Sequence, residues 1–193
     1  MAFLLIRLTV GAAEPADPAE PADAAEAAGN AGGEAVIAYV GLGANLGDAQ
    51  AALEAAVEAL TALSQTRLVA RSSVYRSAPI DSSGPDYLNA VAELATHLAP
   101  HALLAHLQAI ELQHGRERPY RNAPRTLDLD LLLYGDQTVA TPTLTVPHPR
   151  LHERAFVLLP LAEIAPGTQL PGRAGLGELL RRVAGQALHK LAP

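Results

Sequence analysis

Cysteine is missing from all 193 residues. Its absence rules out a disulfide framework, a thiolate metal site and a cysteine nucleophile, and it fits a reducing cytoplasm. Long apolar runs are missing too, so no bilayer-spanning helix is expected. The opening MAFLLIRLTV is apolar but short. Arg7 interrupts it, no basic cluster precedes it, and it leads into an acidic Ala/Pro repeat, so it is not read as a targeting signal. Residues 11–34, GAAEPADPAEPADAAEAAGNAGGE, lack large apolar side chains altogether and cannot offset the entropy cost of ordering. The expectation is a disordered, dispensable acidic tail over residues 1–34, then a single domain over residues 35–193.

Basic residues are scarce overall, giving a formal charge of -6, but the deficit is local. Residues 1–34 hold six acids and one Arg, while residues 35–193 hold fourteen acids and thirteen bases. Six of those bases are Arg116, Arg118, Arg121, Arg125, Arg150 and Arg154. An arginine-rich island on a near-neutral body suits phosphate recognition, because guanidinium forks match phosphate oxygens. It does not suit broad nucleic-acid binding.

Order is expected from Ala35, where AVIAYVGL reads as a buried strand. A Gly/Asn turn and a helix over residues 48–62 follow, with Asp48 as N-cap and Leu53, Val57 and Leu60 on one face. Strands are predicted over residues 67–76 and 86–97, joined by the turn-rich SAPIDSSGP. A second amphipathic helix after Pro100 carries Leu103, Leu104, Leu107 and Ile110 and stops near Gly115. TLDLDLLLY is the clearest strand, followed by a shorter one at residues 144–146 and helices near residues 155–163 and 177–183. The order strand, helix, strand, strand, helix, strand predicts an α+β, ferredoxin-like antiparallel sheet with helices on one face and C-terminal additions.

In TLDLDLLLY the period of two sends Leu127, Leu129, Leu131 and Leu133 to one side and Asp128 and Asp130 to the other. The two aspartate Cα atoms should lie about 6.5–7 Å apart, a spacing that suits a metal pair of roughly 3.5–4 Å. Oxygen ligands without His or Cys nearby favour magnesium over zinc. Two aspartates in one strand also fit pairing with the neighbouring arginines, and the arginine loop alone also fits surface ion pairs. GLGANLGD fails as a nucleotide loop, with Leu46 where GxGxxG needs Gly and no following Lys, so it reads as a structural turn. His97 and His101 lack a third ligand in sequence and read as surface residues. His148, held between Pro147 and Pro149 near Arg154, is a candidate hydrogen-bond donor to phosphate.

Taken together, YVGLGANLGD, SSVYRSAPI, DYLNAV, RNAPRTLDLDLLLYGD and TVPHPRLHERAFVLLPLAEIAP resemble the hydroxymethyl-dihydropterin pyrophosphokinases of folate biosynthesis. The resemblance runs over residues 36–166, and PRTLDLDLLLYG and TVPHPRLHERAF are its most specific parts. It implies that Asp128 and Asp130 hold two magnesium ions. It also implies that Glu111, Arg116, Arg118, Arg125, Leu131, Thr145, His148 and Arg154 bind ATP, with Arg116 and Arg125 also serving the chemistry. The pterin would lie between the rings of Tyr87 and Phe156, its edge read by Asn89 and by the chain at Ser77, Ala78 and Ile80. Asn122 and Thr143 depart from some relatives, which carry an aromatic residue and an arginine there.

The implied reaction is attack of the pterin hydroxymethyl oxygen on the β-phosphorus of ATP with loss of AMP, proton removal being metal-assisted with Asp130 a candidate acceptor. Loops at residues 79–85 and 116–124 are expected to close over the substrates. The expected partners are these two small molecules, with no nucleic acid or membrane, and the protein is expected to be a cytoplasmic monomer. Two other classes remain at this point. One is a glycosyltransferase using an Asp-x-Asp metal site, which the strand order disfavours. The other is a non-catalytic binding module on the same fold.

Overall fold

The structure, a computed structural model, describes residues 33–79, 84–115 and 126–192. The Arg116, Arg118, Arg121, Asn122 and Arg125 assignments, Ile80, and residues 1–32 of the expected tail lie outside the described residues.

Strand β1 (Val36–Ala44) is followed by helix α1 (Ala49–Thr61), β2 (Thr66–Arg71), β3 (Tyr75–Ser77), β4 (Tyr87–Thr96) and α2 (Pro100–Gln113). Then come β5 (Asp128–Tyr134), β6 (Val139–Ala140), β7 (Thr145–Val146), a 3-10 turn at Leu151–Glu153, α3 (Ala155–Ile164), α4 (Leu176–Val183) and β8 (Leu188–Lys190). Six strands form one sheet in the order β5-β1-β4-β3-β8, with β2 also pairing β4, and all of these pairs are antiparallel. β6 and β7 make a separate ribbon. The architecture is α+β with an antiparallel sheet and four helices among the described residues.

Helix α1 begins where Asp48 Oδ1 accepts the Ala51 N–H at 3.0 Å, satisfying one orphan donor of the first turn. Its buried positions are Leu53, Ala56 and Leu60, with Val57 packed at the margin. Pro100 opens α2, where its missing N–H costs nothing. Gly115, at φ +70°, follows the α2 C-cap in the left-handed conformation that glycine takes without strain. Both helices cover one face of the sheet, against Ala38, Val40 and Leu42 of β1 and Leu129 and Leu131 of β5. Each leucine so buried contributes about 1.5–3 kcal/mol.

Helices α3 and α4 cover the opposite face, over Val91, Leu132 and Leu133. The C-terminal helices therefore make the sheet two-sided. The single strand expected over residues 67–76 is corrected to two, β2 and β3. At the break, the Ser72 hydroxyl accepts the Val91 N–H at 2.9 Å, so a side chain takes a partner the ladder would have used.

Candidate active site

Asp128 and Asp130 stand on the α3 side of β5, and Leu127, Leu129 and Leu131 face the α1 and α2 core. Leu133 does not follow the alternation. Val40 pairs with Leu131 but Tyr39 with Leu133, so Leu132 is an extra residue, a β-bulge. Leu132 and Leu133 therefore both lie under α3 and α4, and Tyr134 returns to the other face, where its hydroxyl donates to the Leu98 carbonyl at 2.7 Å. The expected position of Leu133 is corrected accordingly.

Opposite the aspartates, β1 carries no side chains on this face. Gly43 pairs with Asp128 and Gly41 with Asp130. A Cβ on Gly41 would meet Leu132 at 3.4 Å, and one on Gly43 would stand 3.7 Å from Asn89 Oδ1. The two glycines leave a cleft, partly open to solvent, between the sheet and the start of α3. GLGANLGD is thus only half a turn. Its first glycines are the floor of the cleft, which corrects the reading of the segment as a structural turn.

Beyond Gly43 lies Asn89 on β4, paired in turn with Tyr75 on β3. Asn89 is 5% exposed, and its Nδ2 donates to Ser77 Oγ at 3.0 Å and more weakly to the Tyr75 and Tyr87 carbonyls, each at 3.4 Å. With the amide nitrogen turned to β3, the amide oxygen is left on the Gly43 side as an acceptor toward the cleft. Ser77, Ala78 and Tyr87 continue this wall, and Phe156 and Val157 of α3 form the opposite one. One aromatic ring on each wall suits a flat heterocycle.

The phosphate-like end is basic. Arg150 and Arg154 line the cleft, and the Arg154 guanidinium lies over the Phe156 ring at 5.4 Å from its centroid. His148 is fixed from two sides: its backbone N–H donates to the Leu132 carbonyl at 2.9 Å, and its ring Nδ1 accepts the Arg150 backbone N–H at 3.2 Å. Burial, the Arg154 charge and, less, the Arg150 charge lower its pKa to about 4 against an upward pull from Asp128. The ring is therefore neutral at pH 7, with its proton on Nε2 as a donor.

Other expected residues stand elsewhere. Glu111, 2% exposed, accepts the Leu129 N–H at 2.7 Å from the α2 side of the sheet. It braces the strand between the two aspartates from beneath. The Leu131 side chain is in the α1 and α2 core, so a nucleotide could touch only its main chain. Thr145 is exposed on β7. His101 Nε2 lies 3.0 Å from Thr141 Oγ1. Gly41, Gly43, Leu132 and Val157 were not singled out from the sequence as lining residues. The only signal for the glycines was their spacing of two within a strand.

Among the described residues no three His, Cys, Asp or Glu side chains cluster as ligands. Two carboxylates above bare backbone do fit magnesium, which is held by one or two carboxylates plus water and substrate phosphates. Among the same residues no helix is long and apolar enough to cross a membrane.

Residues 39–166 match the family model described as 7,8-dihydro-6-hydroxymethylpterin-pyrophosphokinase (HPPK). The chain is 47% identical over 154 residues to the 2-amino-4-hydroxy-6-hydroxymethyldihydropteridine pyrophosphokinase of Pseudomonas aeruginosa, covering 79% of this chain and 95% of that one. It is 45% identical over 159 residues to the enzyme of that name from Haemophilus influenzae, covering 82% and 99%. Among solved structures it resembles the wild-type Plasmodium falciparum HPPK-DHPS with STZ-DHP, with a TM-score of 0.65, 13% identity, and coverage of 84% of this chain and 45% of that one. The chain thus spans under half the length of that structure, and at this identity the likeness speaks for the fold alone.

Proposed function

This chain belongs to the 7,8-dihydro-6-hydroxymethylpterin-pyrophosphokinase family, and from that membership we infer that the cleft above Gly41 and Gly43 is its active site. The protein is an ATP-dependent pyrophosphokinase that transfers pyrophosphate from ATP to 6-hydroxymethyl-7,8-dihydropterin in folate biosynthesis, releasing AMP. The observation that carries the site is one row across the sheet. Asp128, Gly43 and Asn89 stand side by side, a carboxylate and an amide oxygen flanking an empty strand position.

In this reading the pterin lies between Tyr87 and Phe156, with its polar edge toward Asn89 and the chain at Ser77, Ala78 and Ile80. Its hydroxymethyl group then points across β1 toward Asp128 and Asp130. Arg154, neutral His148 and the sequence-matched Arg116, Arg118 and Arg125 hold the polyphosphate, with Thr145 at its margin. Glu111 keeps β5 in place below the carboxylates. Asp128 and Asp130 would hold two magnesium ions, whose positive charge, when bound, offsets charge on the phosphate oxygens. The residues themselves orient the hydroxyl in line with the β-phosphorus and exclude water, and Asp130 is the acceptor for its proton. Residues 35–193 form the working domain of a cytoplasmic monomer, and residues 1–34 are dispensable for turnover. The sheet order is read as ferredoxin-like, the final strand of the βαββαβ unit lying beside its first.

AMP formation from ATP and magnesium, with and without the pterin, tests the site. Pterin-dependent AMP in the wild type and its loss in Asp128→Ala, Asp130→Ala are expected. Retained turnover in that double variant would move the active site elsewhere, and ADP in place of AMP would overturn the transfer chemistry.

A further inference from the structure

The family match ends at residue 166, yet the chain beyond it returns to the cleft. Gln186 lies between α4 and β8. Its Oε1 accepts the Ala155 N–H at 2.9 Å, and its Nε2 donates to the Glu153 carbonyl at 2.7 Å. Those two groups belong to the peptides immediately before and after Arg154. One side chain therefore grips both peptide planes of Arg154, in the manner of a neighbouring strand. The backbone there is extended, at φ -119° and ψ 110°, although α3 starts at the next residue. Arg154 offers α3 no side-chain cap, and Gln186 supplies the partner for its first N–H.

The grip has an anchor. Two residues on, Leu188 pairs with Ser77 on the opposite side of the cleft, and the Leu191 N–H donates to the Val74 carbonyl at 2.9 Å. The segment from Gln186 to Leu191 is thus tied to the β3 edge while Gln186 holds the start of α3. Arg154 gains a fixed main chain, and its guanidinium rests on Phe156. An arginine held at both peptides keeps less rotational freedom to lose when it meets an anion.

We propose that Gln186 is a positioning residue for ATP, fixing the main chain of Arg154 so that its guanidinium meets the polyphosphate. The proposal rests on the reading of Arg154 as an ATP-holding residue. A residue that only pinned the C-terminal segment would change stability and leave the nucleotide step alone.

The test is steady-state kinetics on the full chain with Gln186→Ala and with Gln186→Met, which keeps length and removes only the polar atoms. Both should raise the KM for ATP roughly tenfold, about 1.4 kcal/mol. The KM for the pterin should change little. In an Arg154→Ala background, Gln186→Met should add nothing to the KM for ATP. Wild-type-like KM for ATP in both variants, or effects that multiply independently with Arg154→Ala, would overturn the proposal. If Arg154→Ala itself left that KM unchanged, the reading of Arg154 would fall and the proposal with it. A raised KM in Arg154→Ala beside normal Gln186 variants would sink the positioning role alone.

Discussion

The two faces of the sheet are held by different means. Under α1 and α2 the contacts are mostly aliphatic, Leu53, Leu60, Leu103 and Leu107 among them, and the buried Glu111 carboxylate is matched by the Leu129 N–H. Over the other face the cleft removes apolar contact beneath the start of α3, and polar ties join the cover to the sheet and its edge. Glu163 on α3 accepts from Ser73 N and Oγ at 3.3 and 2.8 Å, Tyr75 Oη at 2.8 Å and Lys190 Nζ at 3.0 Å. Thr168 reaches the Tyr39 hydroxyl at 3.2 Å, and Gln186 holds the helix start. A face that must admit substrate gives up some packing, and directional bonds keep its cover in register.

That contrast breaks most sharply at the carboxylates. Asp128→Ala should lower kcat/KM by at least about 10³-fold, the scale of losing a charge-stabilising group in phosphoryl transfer, with no loss of melting temperature in a thermal scan. Leu60→Ala, on the packed face, should do the reverse. It should cost about 2–5 kcal/mol in urea unfolding while the folded enzyme keeps its kcat/KM. Gly43→Leu sharpens the comparison within one strand, since it fills the cleft from its floor. The KM for pterin should rise roughly tenfold, about 1.4 kcal/mol, with little change in the unfolding midpoint.

The smallest effect is expected at Glu163. Burial pushes the Glu163 carboxyl up, but the donors from Ser73, Tyr75 and Lys190 outweigh it and hold it down to about 2, against an ordinary 4.5. A depressed folded pKa stabilises the native state above the unfolded value, and that stability is lost as pH falls from 4.5 through about 2. The stability gap between wild type and Glu163→Gln should therefore be constant above pH 4.5 and shrink below it, by a modest amount because solvent screens the site. A gap independent of pH down to 2 would assign the tie to packing.

Much of this contrast was written in the sequence. β1, α1 and α2 follow their periodicities closely because each buries one regular face, and the aspartates of β5 announced themselves as charges inside a leucine strand. The features that escaped are those where a local rule gives way to a partner far along the chain. β8, the tripeptide Leu-His-Lys, has no alternation to read and is a strand only because β3 offers an edge. The β2 to β3 break turns on Ser72 meeting Val91. Gln186 looks like any polar residue in a tail, and only the fold brings it to the peptides of Arg154. The family assignment was legible from PRTLDLDLLLYG and TVPHPRLHERAF because functional segments keep their spelling where helices keep only their rhythm.

The bulge in β5 carries a consequence for how this strand can vary in length. Since Leu132 and Leu133 share a face, removing Leu132 would leave a regular strand, with both aspartates still over the cleft and Tyr134 still turned toward α2. The loss would be one leucine above Gly41 and the carbonyl that receives the His148 N–H. Removing Leu129 instead would throw Asp128 and Asp130 onto opposite sides. Insertions and deletions in β5 are thus tolerated, if anywhere, after the aspartates and never between them.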